Sequence, residues 1–421
     1  MPHDKARPSG RQRSATGSRG SWRAVTRPLE REIDLNDLAA GGAALFVRDG
    51  VGVAGIGVAA RLPLDEVDDA LAAIAADDAV GVAGSGPVAL GVLPFLPGGA
   101  ADLVIPRVVV GKGDGGERWV TVVDGEGLEP VDLDAMLTVA PRAPADAASY
   151  RIRPGVAVEV YLAAVTAARD AVRDGRLDKA VIARDVIVEV DRPLDIGGVL
   201  QRLRASFGSS YRYAFEGFIG ASPELLVERR GDVVRSHPLA GTAPRSGDPT
   251  TDARLAAELL ASVKDQVEHR VVIDVVYDTL IGYCSYLDWQ EEPSVVAVAN
   301  VQHLGTAMEG RLSDPAPSVL ELARRLSPTP ALGGHPRQAA VDLITAVEGF
   351  ERGRYGGAVG WVDAAGNGTW AVAIRCAEIS TDRRTARLFA GGGIVADSVP
   401  ERELAETQAK LQAMLSAIVR A

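Results

Sequence analysis

The chain has 421 residues, a formal net charge of −11 and 47% hydrophobic residues, enough for a sizeable globular core. The acidic balance argues against a nucleic-acid partner, which calls for basic stripes. No run reaches the ~18 apolar residues of a membrane span, and two cysteines, Cys284 and Cys376, are too few for a disulfide framework and lack ligand spacing. Length alone allows two or three ordinary domains or one large one.

Residues 1–28 are rich in Arg, Ser and Gly and hold no apolar signal-peptide segment, so they read as a disordered basic tail. Residues 44–48 and 52–58 read as strands around an Asp49-Gly50 turn. Gly52, Gly55 and Gly57 are not a phosphate loop, because no helix start follows them. The pattern predicts a helix over 64–76 and strands over 88–93, 102–106, 107–110 and 119–123, giving a strand-rich first part. Residues 138–149, rich in Ala, Pro and Asp, read as a linker.

A helix over 156–174 follows, with Val160, Ala163, Ala164, Ala167 and Val172 facing a core. Residues 178–190 are a long strand, 196–207 a helix, 211–218 a strand, and 225–229 with 233–234 a hairpin. One long amphipathic helix is expected over 252–280, then a strand over 294–302 and a helix over 319–326. Prolines and glycines make 327–336 a rigid loop. A helix over 338–348, strands over 355–362, 369–379 and 385–390, and a last helix over 401–419 capped by Ser398 complete the chain. The alternation hints at two similar α/β halves.

Several positions carry candidate chemistry. Asp265 and Glu268 share one face of a predicted helix, and Glu403, Glu406 and Lys410 share a face of the last one. These are either solvated helix surfaces or the sparse carboxylate set that magnesium uses. Lys179, at a strand start, is either a surface lysine or, if desolvated, a general base. Glu224, behind Pro223 in apolar company, is placed to keep its proton and act as an acid. Arg375 lies inside an apolar strand, where its fork suits a ligand carboxylate or an internal acid. Gly391, Gly392 and Gly393 offer either bare amides to an anion or a tight turn.

Over residues 150–421 the sequence resembles the chorismate-utilising enzymes, and among them the isochorismate synthases. The motifs, in order, are Asp178-Lys-Ala-Val-Ile-Ala-Arg184, Gly220-Ala-Ser-Pro-Glu-Leu-Leu226, Ser236-His-Pro-Leu-Ala-Gly-Thr242, Lys264-Asp-Gln-Val-Glu-His269, His303-Leu-Gly-Thr306, Ser327-Pro-Thr-Pro-Ala-Leu-Gly-Gly334, Arg354-Tyr-Gly-Gly-Ala-Val-Gly-Trp361, Ala373-Ile-Arg-Cys376, Gly391-Gly-Gly-Ile-Val395 and Glu406-Thr-Gln-Ala-Lys-Leu411. The resemblance implies a single α/β (α+β) catalytic domain over 29–421. Its sheets pack as a sandwich with helices outside, 29–150 being the weaker-matching part and 151–421 the motif-bearing part.

It also implies Mg2+ as cofactor and chorismate as substrate, in a cytoplasmic monomer with no nucleic-acid or membrane partner. Glu268 and Glu406 would hold the metal, with Asp265 and Glu403 holding water on it. Lys179 would activate water for attack at C2, and Glu224 would protonate the departing C4 hydroxyl. Arg375 and Tyr355 would hold the enolpyruvyl carboxylate. Gly241, Thr242, His303, Gly391 to Gly393 and Lys410 would frame the ring and its carboxylate. Lys179 argues against an ammonia-using relative, and Ala240 against the covalent route of aminodeoxychorismate synthases. The alternatives are a salicylate synthase, which goes on to expel pyruvate, or a non-catalytic anion-binding relative. Siderophore and menaquinone pathways are not separable by sequence.

Overall fold

The computed structural model describes residues 22–138, 149–298 and 300–419. Strands with apolar residues on their inner faces form two large sheets, of 13 and 9 strands, and a small one of 3. Both large sheets are made jointly by the N-terminal and C-terminal parts. In the first, Tyr211–Phe215 pairs with Ala44–Arg48, Tyr213 opposite Phe46. In the second, Ala358–Asp363 pairs with Val88–Leu93, Gly360 opposite Gly91. The strand-rich first part therefore supplies six strands of the 13-stranded sheet and three of the 9-stranded one.

The largest core lies between the sheets. Phe46, Val53, Trp119 and Tyr213 of the 13-stranded sheet belong to one buried cluster with Leu90, Val227, Trp361 and Trp370 of the 9-stranded sheet. The outer face of the 13-stranded sheet buries a second cluster, in which Leu38, Leu200, Leu203, Leu411 and Met414 come from covering helices. This is the mixed α/β sandwich with external helices expected from the sequence. Burial of this scale follows from apolar area removed from water, at about 25 cal/mol per Å2.

Several boundaries differ from the sequence reading, each for a local reason. Residues 1–21 lie outside the described residues, but Arg23–Pro28, assigned to the tail, is a strand paired with Arg118–Asp124. Its alternation is real, with Ala24 and Thr26 fully buried between exposed arginines, and the arginine-rich surroundings hide it. The helix over 64–76 is only Val67–Ala72; Ala75–Asp78 leaves it to pair with Arg23–Pro28. The strand over 211–218 is a hairpin, Tyr211–Phe215 and Phe218–Ser222, turning at Glu216 and Gly217, both with positive φ. The strand over 294–302 is likewise two, Ser294–Val298 and Val301–Gly305.

The long helix over 252–280 breaks at Ser262 into Pro249–Ala261 and Val263–Ile281. The Ser262 hydroxyl accepts from the Asp265 amide, which is the bond that starts a new helix. The strand over 369–379 is Gly368–Val372 in one sheet and Cys376–Ile379 in the other, so the chain changes sheets at Ala373–Arg375. On the helix Val158–Arg173 the buried face is Tyr161, Ala164, Val165, Ala168 and Ala171, about one position round from the expected one; Val160 and Ala163 are exposed. Ser398 does not cap the last helix, Pro400–Val419; its hydroxyl accepts from the Val395 amide. Of the linker, residues 139–148 lie outside the described residues. Among the described residues no helix is long and apolar enough to cross a membrane.

Candidate active site

Two antiparallel strands set the floor of the site. Lys179–Val190 pairs with Thr385–Ile394 along Ala180–Glu189, bringing Val181, Ile182 and Ala183 opposite Gly393, Gly392 and Gly391. On its other side the ladder between Thr385–Ile394 and Cys376–Ile379 stops at Leu388. The three glycines are therefore a strand stretch past the end of that ladder, and the tight-turn reading is incorrect. Their role is steric. A β-carbon on Gly393 would overlap Glu268 Oε1, and one on Gly392 would sit 3.0 Å from Glu403 Oε2 and 3.8 Å from Glu406 Oε1. Side chains here would drive the acids away.

Three lysines answer the acids. Lys179 Nζ lies 2.8 Å from Glu268 Oε1, Lys410 Nζ 2.6 Å from Glu406 Oε1, and Lys264 Nζ 3.6 Å from Glu403 Oε1. Lys410 also donates to the Gly391 carbonyl at 2.9 Å. Burial alone would lower the Lys264 ammonium, but the charges of Glu403, Glu268, Glu406 and Asp265 outweigh it and raise it. Four carboxylates around one ammonium are a place that favours cations. Burial pushes the Glu268 carboxyl up, yet Lys179, Lys264 and Lys410 hold it below the ordinary range. Burial and the Glu406 charge raise Glu403; burial and the Glu268 charge raise Asp265, against the hydroxyl of Ser262. Sequence reading placed neither Lys264 nor its bond to Glu403 in the site, although Lys264 lies one helical turn before Glu268.

Glu224 follows Pro223 where the chain passes from Phe218–Ser222 of the 13-stranded sheet to Leu225–Arg230 of the 9-stranded one, and is 3% exposed. Burial pushes its carboxyl up to about 8, against the Leu239 amide at 3.4 Å and the charges of Lys179, Arg375 and Lys410. It is a carboxylic acid at neutral pH.

Arg375 stands at the sheet change in a left-handed conformation, φ 52°, so it is not inside a strand as the pattern indicated. That kink directs a buried guanidinium into the cleft. One of its nitrogens, Nη2, bonds His303 Nε2 at 3.0 Å; the other, Nη1, is buried with no partner. No carboxylate of the described residues forms an ion pair with it, so the internal-acid alternative fails. Burial lowers its guanidinium to about 10. An unpaired buried guanidinium nitrogen is costly and calls for an acceptor from outside.

His303 Nδ1 lies 2.9 Å from the Gly241 carbonyl and 3.2 Å from Thr242 Oγ1. The carbonyl can only accept, so Nδ1 carries the hydrogen and Nε2 receives the Arg375 N–H. Burial and the Arg375 charge lower His303 to about 3, which keeps this neutral tautomer. Gly241 has φ +68°, and a β-carbon there would stand 3.1 Å from Asp265 Cβ. Tyr355 is buried, stacks on Phe389 with centroids 5.2 Å apart, and its hydroxyl points toward Gly391; burial raises it well above the usual phenol range.

One cleft is lined by Lys179, Glu224, Gly241, Thr242, Glu268, His303, Tyr355, Arg375, Gly391, Gly393 and Lys410. Gly392, Asp265, Glu403 and Glu406 are not among the residues that line it. Sequence reading missed the apolar walls, Val181, Leu239, Ala331, Leu332, Ile374 and Phe389, which exclude water from the charged groups. The arrangement sets a paired lysine, a protonated acid and an arginine with an open nitrogen around one small space. It can hold a small carboxylate and move protons on and off it.

Residues 133–419 match the family model described as chorismate binding enzyme. The isochorismate synthase DhbC of Bacillus subtilis is 39% identical over 345 residues, covering 79% of this chain and 81% of that protein. The putative isochorismate synthase MenF of Mycobacterium tuberculosis is 44% identical over 271 residues, covering 61% and 73%. The crystal structure of a putative 2,3-dihydroxybenzoate-specific isochorismate synthase, DhbC from Bacillus anthracis, superposes with a TM-score of 0.76 at 33% identity, covering 92% and 99%. A family match across most of the chain, over a fold and a cleft that fit it, means that the chain belongs to the chorismate binding enzymes.

Proposed function

We propose that this protein is a magnesium-dependent isochorismate synthase, an isomerase that converts chorismate to isochorismate. The observation that carries the reading is the unpartnered Nη1 of buried Arg375, across the cleft from a protonated Glu224. It asks for a carboxylate next to a group that needs a proton, and chorismate has both. The names of the relatives agree with that activity.

Arg375 and Tyr355 hold the enolpyruvyl carboxylate. Gly241, Thr242, His303, the Gly391–Gly393 strand and Lys410 frame the ring and its own carboxylate. Lys179, paired with Glu268 as an ammonium before the reaction, first gives one proton to solvent; as the neutral amine it takes a proton from water as the oxygen bonds C2, the ring double bonds shift, the C4–O bond breaks, and the leaving hydroxide takes the Glu224 proton as water. The cycle ends with Lys179 protonated and Glu224 ionised, so exchange with solvent resets both. Substrate and product are isomers of similar energy, and the same two groups serve the reverse reaction.

Among the described residues no three His, Cys, Asp or Glu side chains converge as ligands. Magnesium asks for less: one or two carboxylates, with water and substrate oxygens filling the shell. Glu268 and Glu406 suit that role, with Asp265 and Glu403 orienting its waters, and the four acids gathered around Lys264 supply the fitting charge. A magnesium ion held there would supply Lewis-acid help to the rearranging substrate.

The reading is tested by incubating the protein with chorismate and magnesium and separating the products. Isochorismate, lost on chelation, is expected. Salicylate with pyruvate, or unchanged chorismate, contradicts it.

Glu224→Gln separates function from stability. A glutamine cannot donate the C4 proton, so turnover is expected to fall by ~10²–10⁴-fold. The folded pKa of Glu224, about 8, exceeds the unfolded value. The folded protein therefore holds the extra proton, and the stability this provides is full below about pH 4.5 and lost as pH rises through about 8. Glutamine stays neutral, so the variant should melt higher than the parent at pH 9. Equal or lower melting there would contradict the protonated state.

A further inference from the structure

The strand carrying Lys179 has an interrupted outer edge. Gly334–His335 pairs with it at Lys179 and Ala180, and Tyr150–Pro154 pairs from Val186 onward. Between them the Val181 amide donates to the Gly333 carbonyl at 2.9 Å, and no strand meets the Val181 carbonyl or the Ala183 amide. A buried ion pair fills the gap. Glu348, at the end of the helix Arg337–Val347, accepts from the Ala183 amide at 2.7 Å. Arg352 donates through Nη2 to the Val181 carbonyl at 2.6 Å. The two side chains bond each other, Nε to Oε2 at 2.8 Å and Nη2 to Oε1. They stand in for the missing strand, one accepting and one donating as a neighbour would.

Arg352 does more than close the edge. Its Nη1 donates to the Leu332 carbonyl at 2.7 Å, in the loop whose Ala331 and Leu332 line the cleft. Its own carbonyl accepts from the Tyr355 amide at 3.0 Å. Its guanidinium lies over Phe95, 4.2 Å from the ring centre, and 5.7 Å from that of Tyr355. One fork thus joins the lysine strand, the Pro-rich loop and the tyrosine of the cleft from behind their cleft-lining residues, without itself lining the cleft.

We propose that Arg352, braced by Glu348, is the positioning residue that fixes Lys179 against the opposite wall of the cleft. This rests on the proposed reaction. The inner edge of this strand is laddered to Thr385–Ile394, so the fork's part is to tie the outer edge at Val181 to Leu332 of the cleft loop; without it the strand and that loop lose this tie, and Lys179 is two residues away.

The test uses two variants. Arg352→Lys keeps the charge beside Glu348, so it retains the fold. A single nitrogen cannot replace a planar fork that holds Val181, Leu332 and Glu348 together. Its kcat per folded molecule is expected to drop ~10–100-fold with KM for chorismate within ~3-fold, because a displacement near 1 Å costs that much in the chemical step while the ring-holding groups are untouched. Glu348→Gln with Arg352→Met removes both charges together and should lose kcat likewise. In both, amide exchange over residues 179–185 should quicken. Wild-type kcat in either variant, a loss lying wholly in KM, or unchanged exchange would overturn the proposal. A wild-type protein that leaves chorismate untouched instead removes the reaction, and the exchange comparison then decides the clamp alone.

Discussion

Lys179→Ala is expected to end isochorismate formation, with turnover down ~10²–10⁴-fold, the usual worth of a general base. Lys179 is 1% exposed and lines the cleft within 2.8 Å of Glu268 Oε1. No other lysine described in the cleft can take its place: Lys410 is bonded to Glu406 and to the Gly391 carbonyl. The groups proposed to hold the substrate, Arg375, Tyr355 and His303, form no bond with it, so KM should stay close to the parent value. The ammonium that leaves was paired with Glu268, which would then face the proposed magnesium without it. Magnesium, titrated by calorimetry, should therefore bind the variant at least as tightly as it binds the parent. Equal turnover in the variant would remove the base, and weaker magnesium binding would show that Lys179 helps hold the ion.

Glu268→Gln is the second large effect. Glutamine keeps the shape and loses the charge. The magnesium concentration for half-maximal activity should rise at least ~100-fold, because affinity for this ion follows the charge of its oxygen ligands. The same change strands the Lys179 ammonium in a buried place without its partner. Breaking a buried pair from one side costs about 3–5 kcal/mol, so the melting temperature should fall as well. Glu406→Gln, whose partner Lys410 keeps the Gly391 carbonyl, controls for that loss. A Glu268→Gln protein with the parental magnesium response would take this carboxylate out of the metal site.

What could be read from the sequence was what local chemistry determines. The Asp49-Gly50 hairpin, the strand from Lys179 and the helix Val319–Leu326 all carry their signals within a few residues. The errors fall where one residue changes the path without altering the apolar pattern. Ser262 interrupts an amphipathic run that continues on both sides of it. Arg375 adopts a left-handed conformation within a stretch that alternates like a strand, and so moves the chain from one sheet to the other. The motif residues came together because strands, helix turns and the crossings between sheets at Pro223–Glu224 and Ala373–Arg375 bring most of them to one cleft. Lys264 with Glu403, and Arg352 with Glu348, were not legible as partners of the site. Their importance lies in what they meet across the fold: a glycine strand with room for acids, and a strand edge that lacks a neighbour.

In the proposed reaction water attacks C2 as Lys179 takes its proton, while Glu224 protonates the hydroxyl that leaves C4. Turnover of chorismate in water enriched with oxygen-18, sampled early and read by mass spectrometry, tests it directly. The account predicts isochorismate with one heavy oxygen, located in the C2 hydroxyl. Isochorismate that retains only the substrate's own oxygens, or no isochorismate at all, would contradict it.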